Sequence, residues 1–451
     1  MVALEKAGIP TVAFTAKHFV NDARATGKLL GLPELPLAVV PTTITNQTAE
    51  WLHEMVAAAI DQVEAGLTRQ LDAGAASAGI GSQVETIGGD DLLDCQARLN
   101  DLFVEREWSD GMPLIPPTPQ AVERMLAGTR LSPDTVVVRA LQPGGGIATV
   151  EKIAINGVMA GCKPEHMPVL IAMVKAYEAT GANGKTQAMS TGPNAPMVMV
   201  SGPVVQKLGF NYSTCVLGPG SPSRVNTVVG RALRLMLMNI GFAYAGSMDM
   251  DTLGTPCKYS FCVAENAERS PWAPWNVEKG FDKDTSTVSI ALVYPGPDVY
   301  NHTAKTPEEL MATLLTLTAS YIGMASVGRW LYGGRKDPET KKNLPEQNVL
   351  LLAPTHGDIF KRAGWSRSDV SEYLYRKSRI AFGKLYSNAV NQAEALKKTR
   401  PELAWLLDQP ETLVAIAESP ECFQVFVSGG EVGRSQFHWG ASEVPTVAID
   451  E

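Results

Sequence analysis

The sequence predicts an α/β protein in which a small, partial parallel-sheet N-terminal domain is linked to a larger α/β domain. Strands and helices alternate from the start of the chain, which is the pattern of a parallel sheet. A stretch of small, unpatterned residues interrupts this alternation at 72–90. Beyond it, apolar strands and helices of 3.6-residue periodicity continue to the end of the chain. The domains are therefore predicted at residues 1–71 and 91–451, with 72–90 as a flexible linker.

The N-terminal unit consists of two predicted strand–helix steps. Gly8 suits the end of a short opening helix, and the second strand looks buried because its apolar residues are nearly continuous. The predicted elements are helices at 2–7, 19–30 and 48–71 and strands at 9–15 and 35–40. Two strands alone do not make a stable sheet. We therefore expect that a further piece of this domain is missing upstream of the first strand.

The large unit has six clear predicted strands and six clear predicted helices. The strands are at 135–140, 197–200, 259–263, 288–293, 349–352 and 423–427. The helices are at 91–106, 149–160, 166–179, 224–240, 307–322 and 368–381. No short-period repeat is visible in the sequence. Whether the unit is built from two related halves stays open at this level.

Composition excludes several classes of function. The net charge is −8 and no block of five like charges occurs, which argues against nucleic acid or an anionic membrane surface as the main partner. No apolar run approaches the ~18 residues of a membrane span. The six cysteines form no C-x-x-C pair, and without a signal peptide they predict reduced thiols in a cytoplasmic protein. The histidines show no metal-binding spacing, so we expect neither a metal nor another cofactor.

The first candidate for chemistry is the glycine-rich segment 142–156. Its three glycines lead into a helix that carries Glu151, Lys152 and Asn156. Glycines let a backbone approach a ligand, and free N–H groups at a helix start favour an anion. Glu151 and Lys152 project about 100° apart, so only one can face a given pocket well. The alternative is a glycine-rich turn with a solvated charge pair.

A second segment, 217–226, repeats this design before the helix that begins near Arg224. Ser221 or Ser223 is a suitable N-cap, and N–H groups beside the Arg224 guanidinium would suit a carboxylate or a phosphate. Its spacing fits no nucleotide-binding motif. Arg231 and Arg234 lie further along the same helix and are expected to pair or snorkel at its surface.

The third segment, 246–275, contains a strand that ends at Glu265 and Asn266. Polar groups at the carboxyl end of a parallel strand lie where open α/β sheets bind ligands. Glu265 could act as a general acid or base, because burial beside tryptophans would raise its pKa. The alternative is a glutamate and an asparagine that cap a helix. Asp249 and Asp251 form a D-x-D pair, which alone is weak support for a divalent ion.

Three further loops precede or follow predicted strands. Ser190 and Asn194 could orient a polar ligand, and Gly429 and Gly430 form another glycine-rich loop. His356 is suited to proton transfer near neutral pH, although a lone histidine in a turn is more often a structural hydrogen-bonding group. Together the loops favour one small-molecule pocket.

Several segments resemble the UGSC-type family, whose members are bacterial thiol or selenol proteins. The resemblance is carried by residues 8–19, 148–174, 217–241, 254–272 and 426–430, for example GIPTVAFTAKHF and FVSGG. The N-terminal unit also resembles, more distantly, part of the selenoprotein B component of glycine reductase. The resemblance implies a thiol-based redox or lyase chemistry. The namesake motif, selenocysteine or cysteine followed by Gly-Ser-Cys, would lie upstream of the first strand, whereas the first cysteine here is Cys95.

Because the namesake motif is absent from this sequence, three functions are considered. The first is the large subunit of a heteromeric, oligomeric thiol-dependent reductase or lyase that acts on a small anionic or polar molecule, with a small partner chain supplying the reactive cysteine. The second is a cofactor-independent hydratase, lyase or hydrolase that uses glutamate and histidine alone. The third is a non-catalytic binding subunit. A misplaced start codon is a simpler explanation of the missing motif.

The candidate residues divide into two groups. The catalytic candidates are Glu265, His356, Glu151 and Lys152, and the substrate-binding candidates are Asn156, Ser190, Asn194, Ser223, Arg224, Asn266, Gly429 and Gly430.

Overall fold

The computed structural model describes residues 1–29, 31–41, 48–69, 84–319, 327–336, 343–386 and 392–450. Most of the predicted linker at 72–90 lies outside the described residues. An α/β fold with a small parallel sheet at the N-terminus is observed, as predicted. No helix in these ranges has both the length and the apolar character needed to cross a membrane.

The N-terminal unit is a two-stranded parallel sheet with helices beside it. Its elements are α1 (Val2–Lys6), β1 (Ala13–Ala16), α2 (Val20–Leu29), β2 (Leu37–Val40) and α3 (Ala49–Thr68). The Thr48 hydroxyl caps α3 by accepting a hydrogen bond from the Trp51 N–H at 3.2 Å. The helix packs Met55 and Ala59 against Val40 of β2. The first strand begins at Ala13, later than the predicted residue 9, because residues 9–12 do not join the ladder with β2.

The first part of the large unit covers residues 92–294. In chain order it contains α4 (Leu92–Glu105), α5 (Pro119–Leu126), β3 (Val136–Leu141), β4 (Gly146–Thr149), α6 (Val150–Ala160), α7 (Met167–Glu178), α8 (Ala182–Ala188), β5 (Ala195–Ser201), α9 (Val204–Lys207), α10 (Arg224–Asn239), β6 (Tyr244–Ala245), β7 (Met248–Asp249), β8 (Cys262–Ala264), α11 (Trp275–Glu278) and β9 (Thr287–Tyr294).

The second part covers residues 298–448. It contains β10 (Asp298–Tyr300), α12 (Pro307–Ala319), β11 (Arg335–Lys336), β12 (Asn343–Leu344), β13 (Asn348–Leu352), α13 (Pro354–Arg362), α14 (Arg367–Lys377), β14 (Arg379–Ala381), α15 (Phe382–Tyr386), α16 (Gln392–Thr399), β15 (Leu413–Ala415), β16 (Phe423–Val427), β17 (Arg434–Gly440) and β18 (Thr446–Ala448). The helix predicted at 368–381 ends at Lys377, since 379–381 pair with β15 instead.

One large mixed sheet organises both parts. Its strand order is β16-β13-β17-β9-β5-β8, with β10 added beside β17 and β18 beside β9. In the first part, β5 is parallel to β8 and antiparallel to β9. In the second part, β13 is parallel to β16 and antiparallel to β17. The two parts therefore repeat one topology and join through β9 and β17, which answers the question that the sequence left open.

The sheet curves until its two end strands meet. The N–H of Asn266, after β8, donates to the Val427 carbonyl of β16 at 2.9 Å, and the Ser428 hydroxyl donates to the Ala264 carbonyl at 2.7 Å. Side chains on the inner face, among them Met197 and Phe426, form one buried cluster. Helices α6, α7 and α10 cover the outer face of the first part, and α12, α13 and α14 cover that of the second.

Candidate functional site

The structure distributes the predicted site residues over several places and does not gather them in one cleft. Five of them lie around the ends of β8 and β16: Glu265, Asn266, Gly429, Gly430 and Ser223. The loop before β5 contains Ser190 and Asn194, and α13 contains His356. Helix α6 carries Glu151, Lys152 and Asn156, and α10 begins with Arg224. The reason is geometric. Seven residues of β5 separate the Asn194 end from the Ser201 end, which is roughly 20 Å at the rise of a β-strand.

Glu265 is held in a buried network that we call the strand-end junction (Ser201, Glu265, Asn266, Trp275 and Gly429). The Ser201 hydroxyl donates to Glu265 Oε2 at 2.5 Å. The Trp275 N–H lies 2.8 Å and 2.9 Å from the two carboxylate oxygens and begins α11. Only 2% of Glu265 is exposed, and burial raises its pKa. The glutamate thus caps a short helix, which is the alternative that the sequence left open.

Asn266 ties the same junction to the loop after β16. Its Nδ2 donates to the Gly429 carbonyl at 3.2 Å, and the Gly429 N–H donates to the Tyr212 carbonyl at 3.0 Å. Gly429 has a φ of +92°, which glycine adopts most easily. A Cβ on Gly430 would lie 2.6 Å from the Thr214 hydroxyl. The two glycines therefore permit close packing against residues 212–214.

Ser223 and Arg224 lie at the start of α10, where the sequence predicts an anion site. Ser223 precedes α10, but its hydroxyl makes no capping bond and instead donates to the Cys215 carbonyl at 2.8 Å. The prediction that it caps the helix through its side chain is wrong, because the 211–215 loop takes that hydroxyl. Arg224 is exposed. Arg231 pairs with Asp110 at 2.7 Å and Arg234 with Asp249 at 2.8 Å, so both arginines are paired as predicted, but their side chains are largely buried and do not lie at the surface.

His356 is also fully engaged. Its Nε2 lies 3.0 Å from the Asn301 carbonyl, which can only accept, so Nε2 carries the proton. Its Nδ1 then accepts from the Ser435 hydroxyl at 2.7 Å, and that hydroxyl accepts from the Ala353 N–H at 3.1 Å. Burial lowers the pKa of His356. The ring joins α13 to β17 as a neutral histidine.

The glycine-rich segment before α6 is a packed hairpin turn. It joins β3 to β4, and a Cβ on Gly146 would lie 1.9 Å from the Ile240 carbonyl oxygen. The Gly144 N–H donates to the Gly241 carbonyl at 2.7 Å. Helix α6 is capped by the Thr149 hydroxyl, which accepts from the Lys152 N–H at 3.3 Å. The glycines therefore serve backbone packing against the end of α10.

Ser190 and Asn194 stabilise their own loop. The Ser190 hydroxyl accepts from the Gly192 N–H at 3.1 Å, and the buried Asn194 donates to the Gly192 carbonyl from its backbone at 2.7 Å. Thr252 then donates from its N–H to the Thr191 carbonyl at 2.9 Å. This loop therefore lies next to the segment that contains Asp251.

Glu151 and Asn156 line an open cleft, which we call the Glu151 cleft, between α4, α5 and α6. Its volume is about 730 Å³. Its walls are mainly apolar: Val84, Ile87, Leu99, Leu102, Phe103, Trp108, Pro116, Pro117, Pro119, Val122, Leu126, Ile155 and Met159. Lys152 is absent from its lining, because the Lys152 ammonium donates to the Ile147 carbonyl at 3.0 Å. Only one member of the Glu151–Lys152 pair faces the pocket, as predicted.

Two asparagines lie in this cleft beside Glu151. Asn239 Nδ2 donates to Asn156 Oδ1 at 2.9 Å and to the Trp108 carbonyl at 3.1 Å, while Asn156 Nδ2 donates to the Lys152 carbonyl at 2.9 Å. Asn239 Oδ1 is buried with no hydrogen-bond partner. Within the described part of the chain, the Glu151 carboxylate makes no hydrogen bond and no ion pair. The cleft thus offers the Glu151 carboxylate as an acceptor that a ligand donor could satisfy.

The charges of the Glu151 cleft are predominantly negative. Glu85, Glu123 and Glu151 line it, and the single cation in its lining, Arg106, is paired with Glu85 at 2.7 Å. Arg106 also stacks over the Trp108 ring at 5.0 Å. An anionic ligand group would meet repulsion here, whereas a neutral donor or a cation would be favoured.

Sequence reasoning missed Asn239 and the aromatic wall of the cleft. Asn239 stands alone as an amide in the apolar end of α10, LMLMNIG, and a polar residue isolated on a buried face is a recognisable signal. Trp108 follows α4, whose face towards the cleft carries Leu99, Leu102 and Phe103. No local pattern indicates that α4 lies opposite α6.

The D-x-D pair is neutralised by cations. Lys258 Nζ lies 2.7 Å from Asp249 Oδ1 and 2.5 Å from Asp251 Oδ2, and Arg234 pairs with Asp249. Among the described residues, no group of three or more histidine, cysteine, aspartate or glutamate side chains could hold a metal ion.

None of the six cysteines is disulfide-bonded. Burial raises the pKa of Cys162, Cys257, Cys262 and Cys422, so these four thiols are kept protonated. Cys215 is exposed and Cys95 half-buried. Neither lines the Glu151 cleft.

Comparison with known proteins gives one match. Residues 1–69 match the model of the UGSC family, and the match does not extend to the large unit, for which the same resemblance was expected from the sequence. Nothing among the curated proteins and nothing among the solved structures matches the chain. Residues 1–69 of this chain are therefore similar to the UGSC family.

Proposed function

We propose that this chain is the large, substrate-binding subunit of a heteromeric thiol-dependent reductase or lyase, with the reactive cysteine supplied by a partner chain. The observation that carries the proposal is the Glu151 cleft, in which a carboxylate without a partner lies beside two asparagines. The UGSC match of residues 1–69 supports the thiol chemistry.

The cleft is suited to a small molecule with an apolar body and a polar end. Phe103, Trp108 and the three prolines would bury the body, which is the usual composition of ligand pockets. The Glu151 carboxylate would accept a hydrogen bond from the polar end. Because the charged lining is mainly acidic, we propose a neutral or cationic polar substrate here in place of an anionic one.

Glu151 is the proposed proton-transfer group. It borders the cleft in the first turn of α6, and its carboxylate has no hydrogen-bond or ion-pair partner among the described residues. A general acid or base must lie within hydrogen-bond reach of the substrate, and Glu151 meets that condition for a ligand in this cleft. Glu265 and His356, the other acid–base candidates, already use their oxygens and nitrogens within the protein.

The residues of the Glu151 cleft do not include a nucleophilic thiol. A catalytic thiol needs a lowered pKa, whereas burial raises the pKa of four of the six thiols. No cysteine occurs within residues 1–69, the part that matches the UGSC family. We therefore propose a small cysteine-containing partner in a bacterial, cytoplasmic hetero-oligomer.

A second candidate function is acid–base catalysis by this chain without any thiol. The unpaired Glu151 carboxylate favours it as well, because a hydratase or hydrolase needs no more than a proton donor or acceptor beside a bound substrate. The third possibility, a non-catalytic binding subunit, would use the same cleft.

One experiment separates the three. The chain is purified alone and as the complex isolated from its source, each preparation is incubated with a small-molecule extract of the same cells, and depletion is followed by mass spectrometry. We expect depletion by the complex only, abolished by iodoacetamide, with the label on a cysteine other than the six of this chain. Depletion by the isolated chain that survives iodoacetamide would establish the thiol-free enzyme. Binding without depletion in both preparations would establish the binding subunit.

A further inference from the structure

The lining of the Glu151 cleft carries more negative than positive charge. Its acidic residues are Glu85, Glu123 and Glu151, and its one basic residue is Arg106. Arg106 lies 2.7 Å from Glu85, so this pair is neutral. Glu123 and Glu151 therefore remain without a counter-charge in the lining.

The two remaining carboxylates differ in their exposure to water. Glu123 lies on α5 and is exposed, whereas Glu151 lies in the first turn of α6 and is half-buried. Neither side chain makes a hydrogen bond or an ion pair with any of the described residues. Water and salt screen an exposed charge strongly and a partly buried one much less. Glu151 is therefore the carboxylate from which a ligand cation would gain most.

The cations closest in sequence to Glu151 and in the cleft lining are used elsewhere. The Lys152 ammonium donates to the Ile147 carbonyl at 3.0 Å and does not line the cleft. The Arg106 guanidinium is paired with Glu85 and lies over the Trp108 ring, 5.0 Å from its centroid. This stacking shows that the tryptophan in the cleft wall already attracts one cation through its ring.

The remaining walls of the cleft suit an organic cation with an apolar body. The rings of Phe103 and Trp108 meet edge to face with centroids 5.5 Å apart, and Leu99 and Leu102 line the cleft beside them. The volume of about 730 Å³ is that of a small-molecule pocket. A metal ion would leave these walls unfilled, and no group of three or more potential metal ligands occurs among the described residues.

We propose that the Glu151 cleft selects an amine with an alkyl or arylalkyl body, an inference that rests on the proposed function of this cleft as the substrate site. The ammonium group pairs with Glu151, and the body lies against Phe103 and Trp108. A carboxylate at the same position is repelled by Glu151, and a neutral alcohol gains a hydrogen bond but no charge attraction. Glu151 thus determines the charge of the substrate as well as bordering its polar end.

The test is calorimetry on the full chain with three ligands that share one body. The ligands are 4-phenylbutylamine, 4-phenylbutan-1-ol and 5-phenylpentanoate, which place an ammonium, a hydroxyl and a carboxylate after the same four-carbon chain. We expect the amine to bind about tenfold more tightly than the alcohol, and the carboxylate to bind most weakly. An amine that binds no more tightly than the alcohol, or that does not bind, overturns the proposal.

Two glutamate variants then locate the ammonium group. Glu151→Gln is expected to bring the affinity for the amine to within about twofold of that for the alcohol, while the alcohol binds as before. Glu123→Gln is the matched control in the same lining, and its exposed position predicts a loss of amine affinity below about threefold. A folded Glu151→Gln chain that keeps the full preference for the amine also overturns the proposal. If this variant does not fold, the three ligands on the unmodified chain still decide.

The outcome can be separated from that of the proposed function, because the calorimetry needs neither turnover nor a partner chain. Equal binding of amine and alcohol, beside depletion of a metabolite by the complex, would remove this inference and leave the thiol-dependent enzyme. A preference for the amine that depends on Glu151, without depletion by any preparation, would keep the inference and identify the chain as a binding subunit.

Discussion

The strand-end junction and the Glu151 cleft each place a glutamate close to an asparagine, but in opposite states. At the junction, Glu265 accepts hydrogen bonds from Ser201 and Trp275 and is 2% exposed. In the cleft, Glu151 borders open space, and neighbouring Asn239 keeps an oxygen without a partner. The same residue types therefore hold the fold together in one place and face a prospective ligand in the other.

The comparison shows that the polar groups at these two strand ends form contacts that hold the fold together. The ends of β8 and β16 are joined by hydrogen bonds, so the polar groups there bind each other across the junction between the two strands. The cleft is bordered instead by side chains of helices α4, α5 and α6. Function is then expected to respond to changes on the helices, and stability to changes at the strand ends.

The largest expected effect comes from removing the junction carboxylate. Glu265→Ala leaves the Trp275 N–H buried without an acceptor, leaves the Ser201 hydroxyl only the longer 3.2 Å hydrogen bond to Asn276 Oδ1, and opens a cavity. An unsatisfied buried group costs on the order of 1–3 kcal/mol, and the cavity adds to that cost. We therefore expect a loss of about 3 kcal/mol in the free energy of unfolding, measured by urea denaturation. The exposed Glu268→Ala is the control and should change stability by less than about 0.5 kcal/mol. A loss no larger than that of the control would show that the junction does not hold the sheet.

The next effect concerns pH and His438, a buried residue of β17. Its Nδ1 accepts from the Gly296 N–H at 3.1 Å, and burial lowers its pKa to about 4. The neutral form is thus favoured in the folded state, so stability is complete above the ordinary histidine pKa and falls as pH decreases towards 4. The shift corresponds to about 3 kcal/mol.

The measurement is the free energy of unfolding between pH 7 and pH 4 for the unmodified chain and for His438→Gln, whose amide oxygen can still accept from Gly296. The difference between the two curves isolates His438 from all other titrating groups. We expect the variant to lose about 3 kcal/mol less over this range. Parallel curves would contradict the assignment of a buried neutral ring.

The smallest effect is expected at Lys152, the neighbour of Glu151 that turns away from the cleft. Its ammonium is exposed and donates only to the Ile147 carbonyl. Lys152→Met should change stability by less than about 0.5 kcal/mol and leave depletion by the complex within twofold. If the variant has normal stability but no longer depletes the substrate, Lys152 is a catalytic residue after all and the substrate lies nearer to β4.

Six strands of the large unit could be predicted from the sequence because each is a short apolar run between turn residues, although β8 begins at Cys262 and not at the predicted residue 259. Sequence reasoning missed β17, which joins the two parts, because its residues RSQFHWG mix polar and apolar side chains. β13 and β16 are observed at 348–352 and 423–427, within one residue of the prediction. The parallel pairing in the N-terminal unit also followed from local alternation. These features depend on residues that are adjacent in the sequence, so they can be predicted from the sequence alone.

The site could be predicted only in part, because its geometry depends on contacts between distant residues. Glycines 144 and 146 have the composition of a ligand-binding loop, but the backbone that approaches them is that of 240–241. Glu151 and Asn156 were recognised as a helix face, whereas Asn239 joins them from 83 residues away. The hydrogen bonds that engage Glu265 and His356 likewise come from residues that are distant in sequence, such as Ser201 and Ser435.

The central claim is that Glu151 transfers protons while Glu265 holds the fold, and one paired measurement tests it most directly. Glu151→Gln and Glu265→Gln are prepared in the same complex, and the rate of substrate depletion is divided by the folded fraction. We predict that Glu151→Gln loses about 100-fold in rate with unchanged stability, while Glu265→Gln loses stability but keeps its rate per folded molecule. A Glu265→Gln complex that is folded and inactive, beside an active Glu151→Gln complex, would contradict the account.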